Sequence, residues 1–348
     1  MKGMLRTGAR RVRRAGARLG QRTTGTNRLI LLYHRVADVR PDPWGLSVSP
    51  ARFMEHLEVL SRSGFKCLRL RDLVRLLQDG TLPRRAVAIT FDDGYADNLY
   101  AAKPLLERTD TPATVFVVTG ATGRAREFWW DELAGLLLQP DRLPAHLTLA
   151  VDDQTRAWEL GTAADDAKDR RRGHGHGHQA WTEASIQREA VYRSVWQLMQ
   201  PLPEDRRQSL LDELAAWAGR PRRARAAHRS MTADEILALA EGDLIDIGAH
   251  TVTHPSLPFL PRASQRAEIA QSKARCEALL GRPVTSFSYP HGEYTSDTVA
   301  LVRETGFACA CSTAAAALTR RSDPFRLPRL IVENWDGNEF ARRTLRAI

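Results

Sequence analysis

Two adjacent acids and four separated histidines stand at spacings suited to hydrolytic chemistry. Asp92 and Asp93 follow the apolar run Ala86-Val87-Ala88-Ile89-Thr90-Phe91 and precede Gly94. Neighbouring carboxylates packed at a turn repel, and one pKa rises unless a cation lies between them. A metal held by one carboxylate, with the other left as a base, resolves that conflict. Further along stands His250-Thr251-Val252-Thr253-His254-Pro255. The β-branched residues and the proline favour a turned loop over a helix, and either form lets both imidazoles reach one ion. One Asp and two His leave coordination positions open, as a hydrolytic metal site needs. An Asp-Asp-Gly turn alone is commonplace, and so is a lone His-x-x-x-His. The weight comes from finding both at the ends of predicted strands. His34 ends another such run, and His291 follows a fourth in Tyr289-Pro290-His291-Gly292.

These groups need a scaffold that brings strand ends together. Residues 29–33, 65–68, 86–91 and 114–118 read as short buried strands. Between them lie helical patterns, one opening at Ser49-Pro50 with Phe53, Leu57 and Leu60 at helical spacing. After residue 230 the alternation resumes. Thr232 with Glu235 marks a capped helix start, and strands are predicted over 244–248, 284–289, 307–311 and 327–332. Strands alternating with helices argue for α/β organisation with a parallel sheet. In a parallel barrel the C-terminal strand ends share one mouth, where active sites are found. Residues 120–230 break the rhythm and read as a mainly helical insertion. Within it, 161–180 is polar and low in complexity, and His174, His176 and His178 alternate with glycine. Glycine beside every ligand preorganises nothing, so this run reads as a surface loop.

Thr90-Phe91-Asp92-Asp93-Gly94, His250-Thr251-x-x-His254 and Phe287-Ser288-Tyr289-Pro290-His291-Gly292 resemble successive motifs of the polysaccharide deacetylases, carbohydrate esterase family 4 with its NodB homology domain. The resemblance covers 29–118 and 231–332. It implies a distorted seven- or eight-stranded (β/α) barrel, interrupted by the insertion. It also implies a divalent metal, usually Zn2+, and hydrolysis of N-acetyl groups on an amino-sugar-containing saccharide. Carried over by position, Asp93, His250 and His254 would be the metal ligands and Asp92 the general base. Tyr289, Pro290 and His291 would form the substrate and oxyanion turn, through a backbone N–H near His291. Thr251 would brace the ligand loop. Two departures stand out. Ser288 occupies the place of an arginine that normally pairs with the base, and Arg329 on a late strand is the available substitute. The usual C-terminal Leu-x-His is replaced by Leu327-Pro328-Arg329, and no histidine follows His291. His34 resembles the acid of a permuted subset of the family and is preferred as general acid, with His291 second. Those departures motivate the alternative of a catalytically weak saccharide-binding or scaffold protein.

The chain has 348 residues, 43% of them hydrophobic, enough for one large domain or two ordinary ones. Its net charge of +10 is uneven, since residues 1–28 carry nine basic residues and no acid. This N-terminal arm is expected to be a solvated tail, or to lie on an anionic membrane surface. Nucleic acid is disfavoured as a partner because no aromatics interleave with the charges. No apolar run reaches the ~18–20 residues of a membrane span, and no secretory signal is legible. Cytoplasmic location, with association at the inner face of the membrane, is the expectation. The four cysteines lack Cys-x-x-Cys spacing and read as buried, reduced thiols, not a disulfide framework or zinc knuckle.

Overall fold

The computed structural model describes residues 27–151, 154–165 and 183–345. The basic arm up to residue 26 and the Gly-His run lie outside the described residues. Arg28 does not belong to that arm: β1 starts at Asn27, and the Arg28 guanidinium donates to the carbonyls of Leu82 and Pro83 at 2.5 and 3.0 Å.

The first half of the chain supplies β1 (Asn27–Tyr33), β2 (Arg35–Val36), β3 (Ser47–Val48), β4 (Lys66–Cys67), β5 (Arg85–Phe91) and β6 (Ala113–Val117). Helix α1 (Pro50–Arg62) follows β3, α2 (Leu70–Gln78) follows β4, and α3 (Lys103–Arg108) follows β5. The hydroxyl of Ser49 caps α1 by accepting from Arg52 N, and Pro50 takes the first turn, where no N–H is needed. The second half adds β9 (Ile245–Ala249), β10 (Ser286–Ser288), β11 (Cys309–Cys311) and β12 (Leu330–Ile331). The main sheet runs β11-β10-β9-β6-β5-β1-β12, with β4 paired to the start of β5, and every pair in it is parallel. Leu327 bridges in parallel to Cys311, while Leu330 and Ile331 pair with Leu31 and Leu32. The strip 327–331 therefore links the two ends of the sheet, and the result is a distorted (β/α) barrel.

Alternation along β5 decides what the barrel holds. Val87, Ile89 and Phe91 join the large core that also takes Phe53, Leu57 and Leu60 from α1. Ala86 and Ala88 face the other way, into a cluster with Ile30, Phe116, Cys309, Cys311 and Leu327. Leu70, Leu73, Val74 and Leu77 of α2 belong to this inner cluster and plug the end of the barrel near β4. Period-2 geometry then carries the inner face through Thr90 to Asp92. Small residues low on the strand leave room in the lumen for a long side chain coming from elsewhere.

The segment between β6 and β9 builds its own core. It contains α4 (Trp129–Leu138), α5 (Glu183–Met199) and α6 (Glu204–Trp217). The segment is mainly helical, as expected, and also contains an antiparallel hairpin of β7 (His146–Val151) and β8 (Gln154–Glu159) that the helical reading did not include. Leu147, Leu149 and Val151 alternate inward against Leu210, Leu211 and Leu214. Tyr95 and Val118, just past β5 and β6, are buried in the same cluster, so this core sits on the barrel mouth. After it come α7 (Ala233–Leu239), α8 (Arg262–Leu280), α9 (Ser296–Glu304) and α10 (Gly337–Leu345). Thr232 and Glu235 form the reciprocal cap of α7.

Candidate active site

Asp92 and Asp93 emerge from β5, His250 and His254 from the turn after β9, and His291 from the turn after β10. The Asp92 side chain enters the lumen, where it meets Arg329. The Arg329 guanidinium donates to Asp92 Oδ1 at 2.8 Å and Oδ2 at 2.7 Å, and also to Ser288 Oγ at 2.8 Å. Its Nε donates to the carbonyl of Ser312 at 2.9 Å. Ser288 Oγ donates to Asp92 Oδ2 at 3.1 Å. The residue in the usual arginine position thus shares the carboxylate with an arginine from the closing strip. Burial pushes the Asp92 carboxyl up, but Arg329 and then His250 outweigh it and hold the pKa down at about 2. Asp92 is a fixed anion.

Asp93 differs. Its Oδ1 lies 3.5 Å from His250 Nε2 and 3.5 Å from His254 Nε2, and no hydrogen bond reaches it. Asp93, His250 and His254 each offer a ligand atom within 4.8 Å of the others, and all three are buried. Burial, then the charge of Asp92 and of Asp131, drives the Asp93 carboxyl well above the usual range. Burial lowers His250 and, with His291 and His250 adding to it, lowers His254 further. Both imidazoles are therefore neutral and able to ligate. The Nδ1 of His250 faces the Ser288 carbonyl at 2.8 Å, which as a donor would leave Nε2 as the lone-pair nitrogen turned toward Asp93. An orphaned buried carboxylate oxygen between two neutral imidazoles fits a divalent cation and is otherwise costly.

The ligand loop is held in a conformation side chains avoid. Asp93, Thr251, His254 and His291 have φ of 74°, 65°, 55° and 58°. Each such residue costs on the order of 1–3 kcal/mol and persists only where neighbours enforce it. The enforcing bonds are visible. Thr251 Oγ1 donates to the His250 carbonyl and accepts from His254 N at 3.0 Å. Glu268 of α8 accepts from Val252 N at 2.7 Å, Thr253 N at 2.9 Å and Thr253 Oγ1 at 2.7 Å. Nothing in the sequence marks Glu268, which reads as an ordinary helix acid. Trp130, likewise unmarked, lays its ring 4.8 Å from that of His254.

His34 and His291 stand at the partly exposed rim. Burial lowers His34 to about 4, with Asp92 pulling the other way and Arg329 and His250 reinforcing the fall. His291 is lowered to about 3 by burial and then by His250, and its ring lies 4.6 Å from that of His254. Tyr289 is a correction. Its N–H donates to the Cys311 carbonyl, its hydroxyl donates to the Phe325 carbonyl at 2.9 Å, and its ring is buried in the core. It packs the turn and offers no group to a substrate. Pro290 is buried and has no N–H, so the turn's contribution to the rim is His291.

A family profile described as polysaccharide deacetylase matches residues 79–189 and 217–310. The chain belongs to the polysaccharide deacetylase family. YxkH of Bacillus subtilis (strain 168), whose name places it among polysaccharide deacetylases, is 33% identical over 142 residues, 40% of this chain and 50% of that protein. The poly-beta-1,6-N-acetyl-D-glucosamine N-deacetylase of Staphylococcus aureus (strain MSSA476) is 34% identical over 77 residues, 22% of this chain and 27% of that protein. The chain thus spans half or less of these relatives' lengths. The Streptococcus pyogenes deacetylase PplD, solved in complex with acetate, superposes with a TM-score of 0.57 at 17% identity, covering 92% of this chain and 98% of that one. At that identity the likeness speaks for the fold.

Proposed function

We propose that this chain hydrolyses N-acetyl groups on an amino-sugar-containing saccharide and requires a divalent metal, most simply Zn2+, to do so. The observation that carries the reading is one mouth holding two adjacent acids in opposite states. Asp92 is locked by Arg329 as an anion, and Asp93 stands unpaired between two neutral histidines. A structural ion-pair cluster has no use for the second arrangement. Family membership and the match to a poly-beta-1,6-N-acetyl-D-glucosamine N-deacetylase support the substrate class.

Asp93, His250 and His254 would hold the ion, which supplies Lewis-acid polarisation of the amide carbonyl and a more acidic water. Asp92 takes the proton of the attacking water on the carboxylate that Arg329 and Ser288 orient. The backbone N–H of His291 donates to the oxygen that gains charge as the carbonyl carbon becomes tetrahedral. His34 gives a proton to the departing nitrogen; burial holds its imidazole down at about 4, and the attraction of Asp92 offsets a part of that fall. Water is consumed, the C–N bond breaks, and acetate and a free amine leave.

The test is acetate release by zinc-loaded protein from N- and O-acetylated saccharides, with Asp92→Asn alongside. Loss of about 10²-fold or more in kcat is expected for the variant, with bound zinc retained. Equal release by variant and wild type would remove Asp92 as the base. Zinc-loaded wild type that binds a saccharide and releases no acetate would favour the saccharide-binding alternative.

A further inference from the structure

An aromatic chain leads outward from the site. The ring of His291 lies 5.6 Å from Trp196 of α5, and Trp196 lies 4.8 Å from Trp44 on the loop between β2 and β3. Behind them Trp129 and Trp130 are buried, at 4% and 6% exposure, whereas Trp44 and Trp196 keep part of their surface in solvent. Both outer rings are fixed from behind. Trp44 Nε1 donates to the Tyr192 hydroxyl at 2.8 Å, and Trp129 stacks on Trp196 at 5.7 Å with 26° between planes. One turn beyond Trp196, Gln200 Nε2 donates to Glu293 Oε2 at 3.4 Å, on the turn that follows His291. Ser256 Oγ donates to the same oxygen, and Oε1 accepts from no described residue.

Indoles half-sunk in a wall beside planar amide and carboxylate groups match one ligand chemistry closely. A pyranose ring has an apolar face of C–H bonds and a rim of hydroxyls. The indoles take the face, and the Gln200–Glu293 pair takes the rim. Two ring-to-ring steps, from His254 to His291 at 4.6 Å and on to Trp196 at 5.6 Å, set this platform outside the histidines that would hold the ion and not against them. We propose that Trp196 and Trp44 form a stacking subsite for the sugar neighbouring the one that loses its acetyl group, so that the inserted α5 makes the enzyme select chains over single sugars. The inference rests on the saccharide-deacetylase reading.

The experiment compares kcat/KM on N-acetylglucosamine with that on its β-1,6-linked pentamer, for wild type, Trp196→Ala and Trp196→Phe. In Trp196→Ala the pentamer-to-monomer ratio falls roughly tenfold, through KM on the pentamer. Trp196→Phe, which keeps a flat ring, recovers most of it. Equal losses on both substrates would overturn the subsite, because they would mean a damaged mouth; so would an unchanged ratio. Pentamer binding by calorimetry separates this from the broader reading. If wild type binds the pentamer but releases no acetate, and Trp196→Ala binds roughly tenfold more weakly, the subsite stands and the deacetylase reading falls. Equal pentamer affinity in the two proteins would sink the subsite.

Discussion

Arg329 is fully buried, and its guanidinium reaches Asp92, Ser288, Thr90 and the Ser312 carbonyl at once. Burying a charge is repaid only by geometry of this kind, and removing one partner leaves the other stranded. Arg329→Ala is expected to cost about 3–5 kcal/mol of stability in urea denaturation. Adding Asp92→Asn should recover a part of that loss, because the stranded carboxylate is then neutral. A double variant no more stable than the single one would place the loss in packing, not charge. Arg329→Lys keeps the charge but not the fork, and should fall between wild type and alanine. Asp93 needs no such partner in the folded chain if a cation lies there. Metal added at ~100 times its Kd is then expected to stabilise wild type by about 2.7 kcal/mol, and Asp93→Asn to abolish the rise in Tm.

At the scale of an element, the His291 turn depends on Gly292. Its φ is +72°, and a Cβ built there would stand 2.0 Å from Thr313 Oγ1 and 2.7 Å from Thr313 N. Gly292→Ala is therefore expected to lower both Tm and kcat, since the turn cannot shift without moving His291. Thr313→Ala in the same chain removes the Oγ1 contact and leaves those with Thr313 Cβ and N, both at 2.7 Å, so it should restore a minor part. Full restoration would show that backbone fit does not limit this turn. Elements of this half were legible where hydrophobic period and caps coincide, as in β5, α1 and α7. The β7/β8 hairpin was legible too, since Leu147, Leu149 and Val151 alternate, but a helical reading of 120–230 passes over it. The Asp92, Asp93, His250 and His254 grouping could be read because each residue follows a strand of the same sense. Arg329 could be named beside Asp92 only through the family resemblance, as the substitute for the arginine that Ser288 replaces. The positions of Glu268 and Trp130 could not be read, because nothing local records which distant turn a side chain will meet.

For the whole molecule, His56 ties three parts of the chain together. Its Nδ1 pairs with the Tyr33 hydroxyl at 3.2 Å, its Nε2 with the Trp335 carbonyl at 2.8 Å, and its ring stacks on Phe340 at 4.2 Å. Burial lowers its pKa to about 4, with the Trp335 carbonyl offsetting a part. The sign follows from linkage. Between the unfolded value near 6.5 and about 4, the unfolded chain binds the proton and the folded chain does not. The stabilisation is complete above the unfolded value and drains away as pH falls through that window, by roughly 3 kcal/mol in full. The stability difference between wild type and His56→Gln should therefore shrink from pH 7 to pH 4. A difference that stays constant would mean that the neutral ring is not what the fold selects.

The bond between Asp92 and Arg329 spans 237 positions of sequence. A ribosome delivers the acid long before its counter-charge. Until residues 327–331 emerge, Asp92 has no Arg329 to meet and β1 has no β12 to pair with. The order of synthesis thus keeps the base unset through most of translation, and the strip that completes the fold also sets it.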